Sequence, residues 1–149
     1  FKSKKVDEIL FRLNVWYYYK GCEVVKDFAT FPYKARSLTL AKEIEFNSIE
    51  DVYEELRRCY DKSYNKFPIG ESLFVSHLFY SNPINFYDHR IQNKIKKVQY
   101  SLESNTPLYS TVQETPAQVV DEFLIYKNES QHCIDYLDKE RKKKDGSKK

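Results

Sequence analysis

The segment from Pro83 to Ser101 constrains the fold more than any other part of the chain. Apolar residues recur in it, and just beyond it, mostly at spacings of three, four and seven, which predicts one apolar stripe along a helix of 3.6 residues per turn. The stripe consists of Ile84, Ile91, Ile95, Val98 and Leu102. We therefore expect the stripe to hold this helix in the core while another face meets solvent.

A basic strip runs along the same predicted helix, 84–101. Arg90, Lys94 and Lys97 recur at i, i+4 and i+7 and line up on a face different from that of the apolar stripe. Lys and Arg make most phosphate contacts in nucleic-acid complexes, so these three residues are the candidate nucleic-acid-binding side chains. The predicted helices 71–80 and 84–101 could together form a DNA-binding helix-turn-helix. Asp88 argues against this motif, because a carboxylate near the start of its second helix repels phosphate.

Four further segments carry helical periodicity or helix start signals, and they are 6–20, 48–60, 71–80 and 115–140. Between the first two, the apolar period changes over 23–31 and 37–46, with a break at Phe31-Pro32-Tyr33. This pattern favours a β-hairpin, and a helix over 34–45 remains an alternative. The predicted fold is α+β and predominantly α-helical, with about four to five helices and a small β-hairpin or minor sheet.

The length of 149 residues suits one domain. The formal net charge is +3, but Lys139 to Lys149 alone contribute +5, so residues 1–138 carry net −2. We expect one globular domain over 1–140 and a disordered basic tail over 141–149, since this tail has nothing apolar to bury. The chain contains no Met, so we expect that it is not an intact translation product.

Aromatic side chains are abundant, with 13 Tyr, 10 Phe and one Trp. The run from Trp16 to Tyr19 covers more than one face of the first helix, which suits either a core packed with rings or an exposed platform for a partner. The final helix carries an acidic side. The candidate protein-binding residues are Trp16, Tyr18, Tyr19, Asp121, Glu122 and Asp135.

Nothing in the sequence has the spacing of a catalytic, cofactor or metal site. Only three Gly leave little material for a phosphate-cradling loop. No two metal-ligating residues among His77, His89, His132 and the cysteines have helical i, i+3 or i, i+4 spacing. We therefore expect no enzyme activity, no cofactor and no metal.

The three cysteines, Cys22, Cys59 and Cys133, lack CxxC spacing and lie beside apolar or aromatic residues. This pattern predicts buried thiols in a reducing compartment, so we expect a cytoplasmic protein. No apolar run approaches the roughly 18 residues that a membrane span needs, and we expect no membrane partner.

The functional hypothesis is a non-enzymatic regulatory protein that acts through protein–protein contacts. Its acidic helix suits a basic partner, and basic proteins are commonly associated with nucleic acids, as in transcription or replication machinery. The alternative is a direct nucleic-acid-binding protein that uses the basic helix 84–101 together with the C-terminal basic tail.

Overall fold

The computed structural model describes residues 4–20, 30–37, 39–63, 68–75, 86–111 and 113–147. These residues form five helices and one antiparallel hairpin, which confirms the predicted, predominantly helical α+β fold. The helices are α1 (Lys4–Lys20), α2 (Ile49–Ser63), α3 (Ile69–Val75), α4 (His89–Ser104) and α5 (Ala117–Ser147). The strands are β1 (Tyr33–Arg36) and β2 (Glu43–Phe46).

Helix α1 is the centre of the fold, because it contacts each of the other four helices. Its buried side chains occupy more than one face and serve two apolar clusters. Val6, Ile9, Leu10 and Leu13 pack with the hairpin, α2 and α3. Phe11, Val15 and Trp16 pack with α4 and α5. The most regular apolar stripe of the sequence thus belongs to α4, which packs against α1. The apolar residues of the central helix α1 are spread over more of its circumference.

Helix α4 begins five residues later than the predicted helix 84–101. Its first residue is His89, and the side chain of Asp88 caps it by accepting a hydrogen bond from the Arg90 amide at 2.8 Å. Asp88 is therefore a helix cap, which explains a carboxylate beside a basic strip. The predicted stripe is confirmed from Ile91 onward, and Ile84 lies outside the described residues. Ile95 and Val98 are buried, with Ile91 and Leu102 partly buried beside them.

The predicted hairpin is confirmed, but both of its strands lie within or next to the second predicted stretch, 37–46, and not one in each stretch. Strand β1 begins at the expected break, and its first residue, Tyr33, pairs with Phe46 of β2. The chain reverses direction between Ser37 and Lys42, inside the stretch predicted as one strand. The alternative helix over 34–45 is wrong. A long-range contact explains the position of the turn, because the buried Glu55 carboxylate of α2 accepts hydrogen bonds from the hydroxyls of Ser37 at 2.8 Å and Thr39 at 3.2 Å.

The remaining boundaries differ in detail from expectation. Helix α3 spans Ile69–Val75, and the expected continuation over 76–80 lies outside the described residues, as does 23–29. Residues 105–111 and 113–116 contain no strand, so this stretch is a linker. Helix α5 continues to Ser147 with its residues 141–146 exposed, whereas we expected a disordered tail from 141. The single domain over 1–140 stays a prediction.

We expect Ile95→Ala to lower the free energy of unfolding by about 2–5 kcal/mol, because Ile95 of α4 is fully buried against α1 and α5. Tyr100→Ala on the same helix is the matched control, since Tyr100 is exposed. It should change stability by no more than about 0.5 kcal/mol. Urea midpoints measure both effects, and equal midpoints for the two variants would contradict the burial of the α4 stripe.

Candidate protein-binding surface

Trp16, one of the predicted protein-binding residues, is fully buried at 0% exposure, so it fits the ring-packed core and not the exposed platform. Its ring stacks on Phe74 of α3 with centroids 5.2 Å apart, and the ring of Tyr136 of α5 meets it edge-on at 5.5 Å. Rings from two helices therefore cover it. Trp16 joins α1 to α3 and α5 and has no surface to offer a partner.

Tyr18 and Tyr19 are partly buried and hold helices together through their hydroxyls. Tyr18 donates a hydrogen bond to Gln99 of α4. The hydroxyls of Tyr19 and Tyr126 of α5 lie 2.8 Å apart and share one hydrogen bond. Burial raises the pKa of both Tyr18 and Tyr126 above the ordinary value for tyrosine. These two residues of the aromatic run thus serve mainly to close the end of α1 against its neighbours.

A buried carboxylate lies beneath Trp16. Glu129 of α5 is 1% exposed, and neither of its carboxylate oxygens has a hydrogen-bond partner within the described ranges. The Arg12 guanidinium is 3.6 Å away, close enough for an ion pair but long for a hydrogen bond. Gly70 permits this packing, since a Cβ at that position would lie 2.0 Å from Glu129 Oε1. Burial raises the pKa of Glu129, and the charge of Arg12 opposes that shift.

An acidic groove of about 600 Å³ lies between the first halves of α1 and α5. Its carboxylates are Asp7, Glu8, Asp121 and Glu122. Among the described residues Lys4 is the one cation that lines it, and Phe11, Leu124 and Ile125 supply apolar surface. Two of the predicted protein-binding residues, Asp121 and Glu122, therefore face the same groove as two acids from the start of the chain.

The four carboxylates of the acidic groove differ in whether a cation already neutralises them. Glu8 pairs with Arg12 at 3.0 Å, and Glu122 pairs with Lys94 of α4 at 3.1 Å. Neither Asp7 nor Asp121 forms an ion pair with any residue that the structure describes. The groove thus retains two carboxylates without an ion pair, one on each wall, and with Lys4 also counted its described lining stays net negative.

An apolar groove of about 350 Å³ adjoins the acidic groove. Its apolar lining comes from α4, α5 and the linker, and consists of Leu102, Pro107, Leu108, Tyr109, Val120, Phe123 and Leu124. The linker is directed across it because Asn105 ends α4 in the left-handed region at φ 55°. The Ser101 hydroxyl fixes the path of the chain as it leaves α4 by donating a hydrogen bond to the Thr106 carbonyl at 2.7 Å. Leu124 lines both grooves.

The other predicted site residues lie apart from the grooves or are already engaged. Asp135 is exposed on α5 and accepts a hydrogen bond from Gln131 at 3.0 Å. It lies 14 residues beyond Asp121, about 21 Å along the helix axis. Arg90 and Lys97 are exposed on α4 as expected. Lys94 differs from them because Glu122 neutralises it.

Sequence reasoning missed Asp7, Glu8 and the exposed apolar residues of the linker. The acid pair at the start of α1 was visible, but it matched an ordinary helix N-terminus, where carboxylates interact favourably with the macrodipole. Only the packing of α1 against α5, which joins residues more than a hundred positions apart, brings this pair to Asp121.

The cysteines that the structure describes are buried thiols. Cys59 and Cys133 are both free and buried, in agreement with the sequence, while Cys22 lies outside the described residues. Burial raises the pKa of Cys59 to about 12, and it also raises the pKa of Cys133. Neither thiol is therefore a ready nucleophile at neutral pH. Within the described ranges no three His, Cys, Asp or Glu side chains are grouped to hold a metal ion.

Comparison with family models, with curated proteins and with solved structures gives no match for this chain. None of the helices in the described ranges is both long enough and apolar enough to cross a bilayer.

We expect the stability difference between native protein and Glu129→Gln to depend on pH. Burial raises the pKa of folded Glu129 above its unfolded value, so the folded state binds the proton more tightly. The native protein should gain stability relative to Glu129→Gln as pH falls from 7 through the raised pKa toward the unfolded value of about 4.3. Urea midpoints across this range test it, and a pH-independent difference would contradict the raised pKa.

Proposed function

We propose that this chain is a non-enzymatic regulatory protein that binds a basic segment of a partner protein in the acidic groove. One observation carries the proposal: Asp7 and Asp121 line opposite walls of one groove and have no cation partner among the described residues. A lysine or arginine of a partner supplies the missing charge.

The lining of the groove suits the whole side chain of such a residue. The aliphatic stem of lysine or arginine packs against Phe11 and Leu124, and its charged head remains beside the carboxylates. An exposed ion pair contributes at most about 1 kcal/mol. Charge therefore steers association and selects basic partners, while apolar contact supplies most of the affinity.

Direct nucleic-acid binding is the second candidate, and exposed cations favour it. Arg90 and Lys97 are exposed on α4, and the last turns of α5 are rich in lysine. Two observations weigh against it. Lys94, the middle residue of the strip, is neutralised by Glu122, and residues 1–138 carry a net charge of −2 that repels a duplex.

The chemistry of the groove suggests where the partner belongs. Proteins that bind nucleic acids expose basic segments, so we propose a component of transcription or replication machinery as the regulated partner. We further propose a cytoplasmic location, since Cys59 and Cys133 are free thiols of the kind that a reducing compartment maintains.

Charge reversal tests the proposal with a fluorescent lysine-rich peptide and a fluorescent DNA duplex as probes. Asp7→Lys with Asp121→Lys should weaken peptide binding by about tenfold or more at low ionic strength, chiefly by slowing association. Glu122 and Lys94 are left intact, because changing either breaks their ion pair. Stopped-flow association rates and equilibrium anisotropy give the two readouts.

The control variant Asp135→Lys with Asp145→Lys changes the net charge by the same amount at exposed positions outside the groove. It should retain most of the peptide affinity. Tight duplex binding that is lost in Arg90→Glu with Lys97→Glu, and that is indifferent to Asp7 and Asp121, would replace the proposal with direct nucleic-acid recognition.

A further inference from the structure

We infer that the bound partner segment is an amphipathic helix that carries basic and aliphatic side chains and occupies the acidic and apolar grooves together. This inference rests on the proposed function, because the acidic groove fixes the charge of the segment. It adds the shape of the segment and a second, apolar requirement.

The two grooves form one surface through Leu124. This side chain lines both grooves and is 61% exposed. The apolar groove adds three more large side chains that are each more than a third exposed, Leu108, Tyr109 and Val120. A contiguous apolar patch beside a charged rim is typical of a protein-binding surface.

The geometry of the surface favours a helical occupant over an extended one. Residues 117–127 of α5 run along both grooves, a distance of about 15 Å or about three helical turns. The hairpin strands line neither groove, so an extended segment would find no strand edge among the described residues to satisfy its backbone. A helix satisfies its own backbone groups and presents basic and aliphatic side chains on neighbouring faces.

The basic end of α5 is the nearest alternative occupant, and it does not fit. Residues 139–147 are rich in Lys and contain no aliphatic or aromatic side chain. They follow Ile125 by at least 14 residues of continuous helix, about 21 Å, so they cannot return to the grooves of their own chain. From a second copy they would reach the acidic groove but leave the apolar groove uncovered.

Three synthetic peptides of about 14 residues, near the length at which an isolated helix becomes marginally stable, serve as probes. The Lys/Leu peptide has lysines on one helical face and leucines at i, i+4 and i+7 on the next. The Lys/Ala peptide replaces its leucines by alanine, and the Glu/Leu peptide replaces its lysines by glutamate. Fluorescence anisotropy measures their affinities for the full chain.

The Lys/Leu peptide should bind the native chain about tenfold or more tightly than the Lys/Ala peptide, because its leucines enter the apolar groove. Leu108→Ser with Val120→Ser should remove this advantage and leave Lys/Ala binding unchanged. Both positions are already exposed, so the fold tolerates the change. The matched control, Leu40→Ser with Ile134→Ser, alters two exposed apolar residues outside the grooves and should preserve the advantage.

The outcomes separate this inference from the proposed function. If both basic peptides bind equally and Leu108→Ser with Val120→Ser has no effect, the amphipathic helix is wrong and the basic partner stands. If the Glu/Leu peptide binds as tightly as the Lys/Leu peptide, the acidic groove has no charge preference and the proposed function fails. Self-association in sedimentation that the same double variant abolishes would identify a second copy as the occupant and overturn the inference.

Discussion

Asn14 of α1 is fully buried, and its side-chain amide makes all four of the hydrogen bonds that an amide can make. Its Nδ2 donates to the carbonyls of Leu10 at 2.7 Å and Phe86 at 2.9 Å. Its Oδ1 accepts from the Asp88 amide at 3.0 Å and from Gln92 Nε2 at 3.2 Å. These bonds fix the central helix against the residues that start α4.

This buried network fixes the position of α4, which carries Lys94 beside the acidic groove. A shift of α4 along α1 would leave several buried polar groups unpaired, at about 1–3 kcal/mol each. Gln92 strengthens the constraint, because its side chain also donates to the Asn14 carbonyl at 2.8 Å. With α4 fixed in this way, Lys94 is held where it can pair with Glu122. The distribution of free charge in the acidic groove therefore depends on a buried amide.

Two glutamates are buried in the part of the chain that the structure describes, and they show that burial of a carboxylate has different consequences in different surroundings. Glu55 receives hydroxyl hydrogen bonds from the hairpin turn and two N–H groups of Arg58, so it fixes the hairpin on α2. Glu129 faces Arg12 at 3.6 Å and has no hydrogen-bond partner among the described residues. A buried ion pair of this kind is weak support for stability, because desolvation offsets much of the attraction. The pKa of Glu129 is raised because burial disfavours its charged form.

Features with local causes were predictable from the sequence, and features with long-range causes were not. The helices, the hairpin and the buried Ile95 follow from periodicity and start signals. The burial of Trp16 depends on rings that α3 and α5 bring to it, and the turn at 37–42 depends on Glu55 of α2. Asp7 and Asp121 belong to one groove only because α1 packs against α5. No short-range pattern contains that pairing.

The ion pair between Lys94 and Glu122 changes how the charged surface should be understood. Sequence periodicity placed a basic strip on one helix and an acidic side on another, and each was predicted to bind a partner of its own. In the folded chain the two meet at 3.1 Å and neutralise each other at their junction. In the proposed function, specificity depends on the carboxylates without an ion pair, Asp7 and Asp121, and the adjoining apolar groove contributes affinity that screening by salt does not weaken. Because the two proposed roles fall to different residues along α5, each of them can be measured by itself.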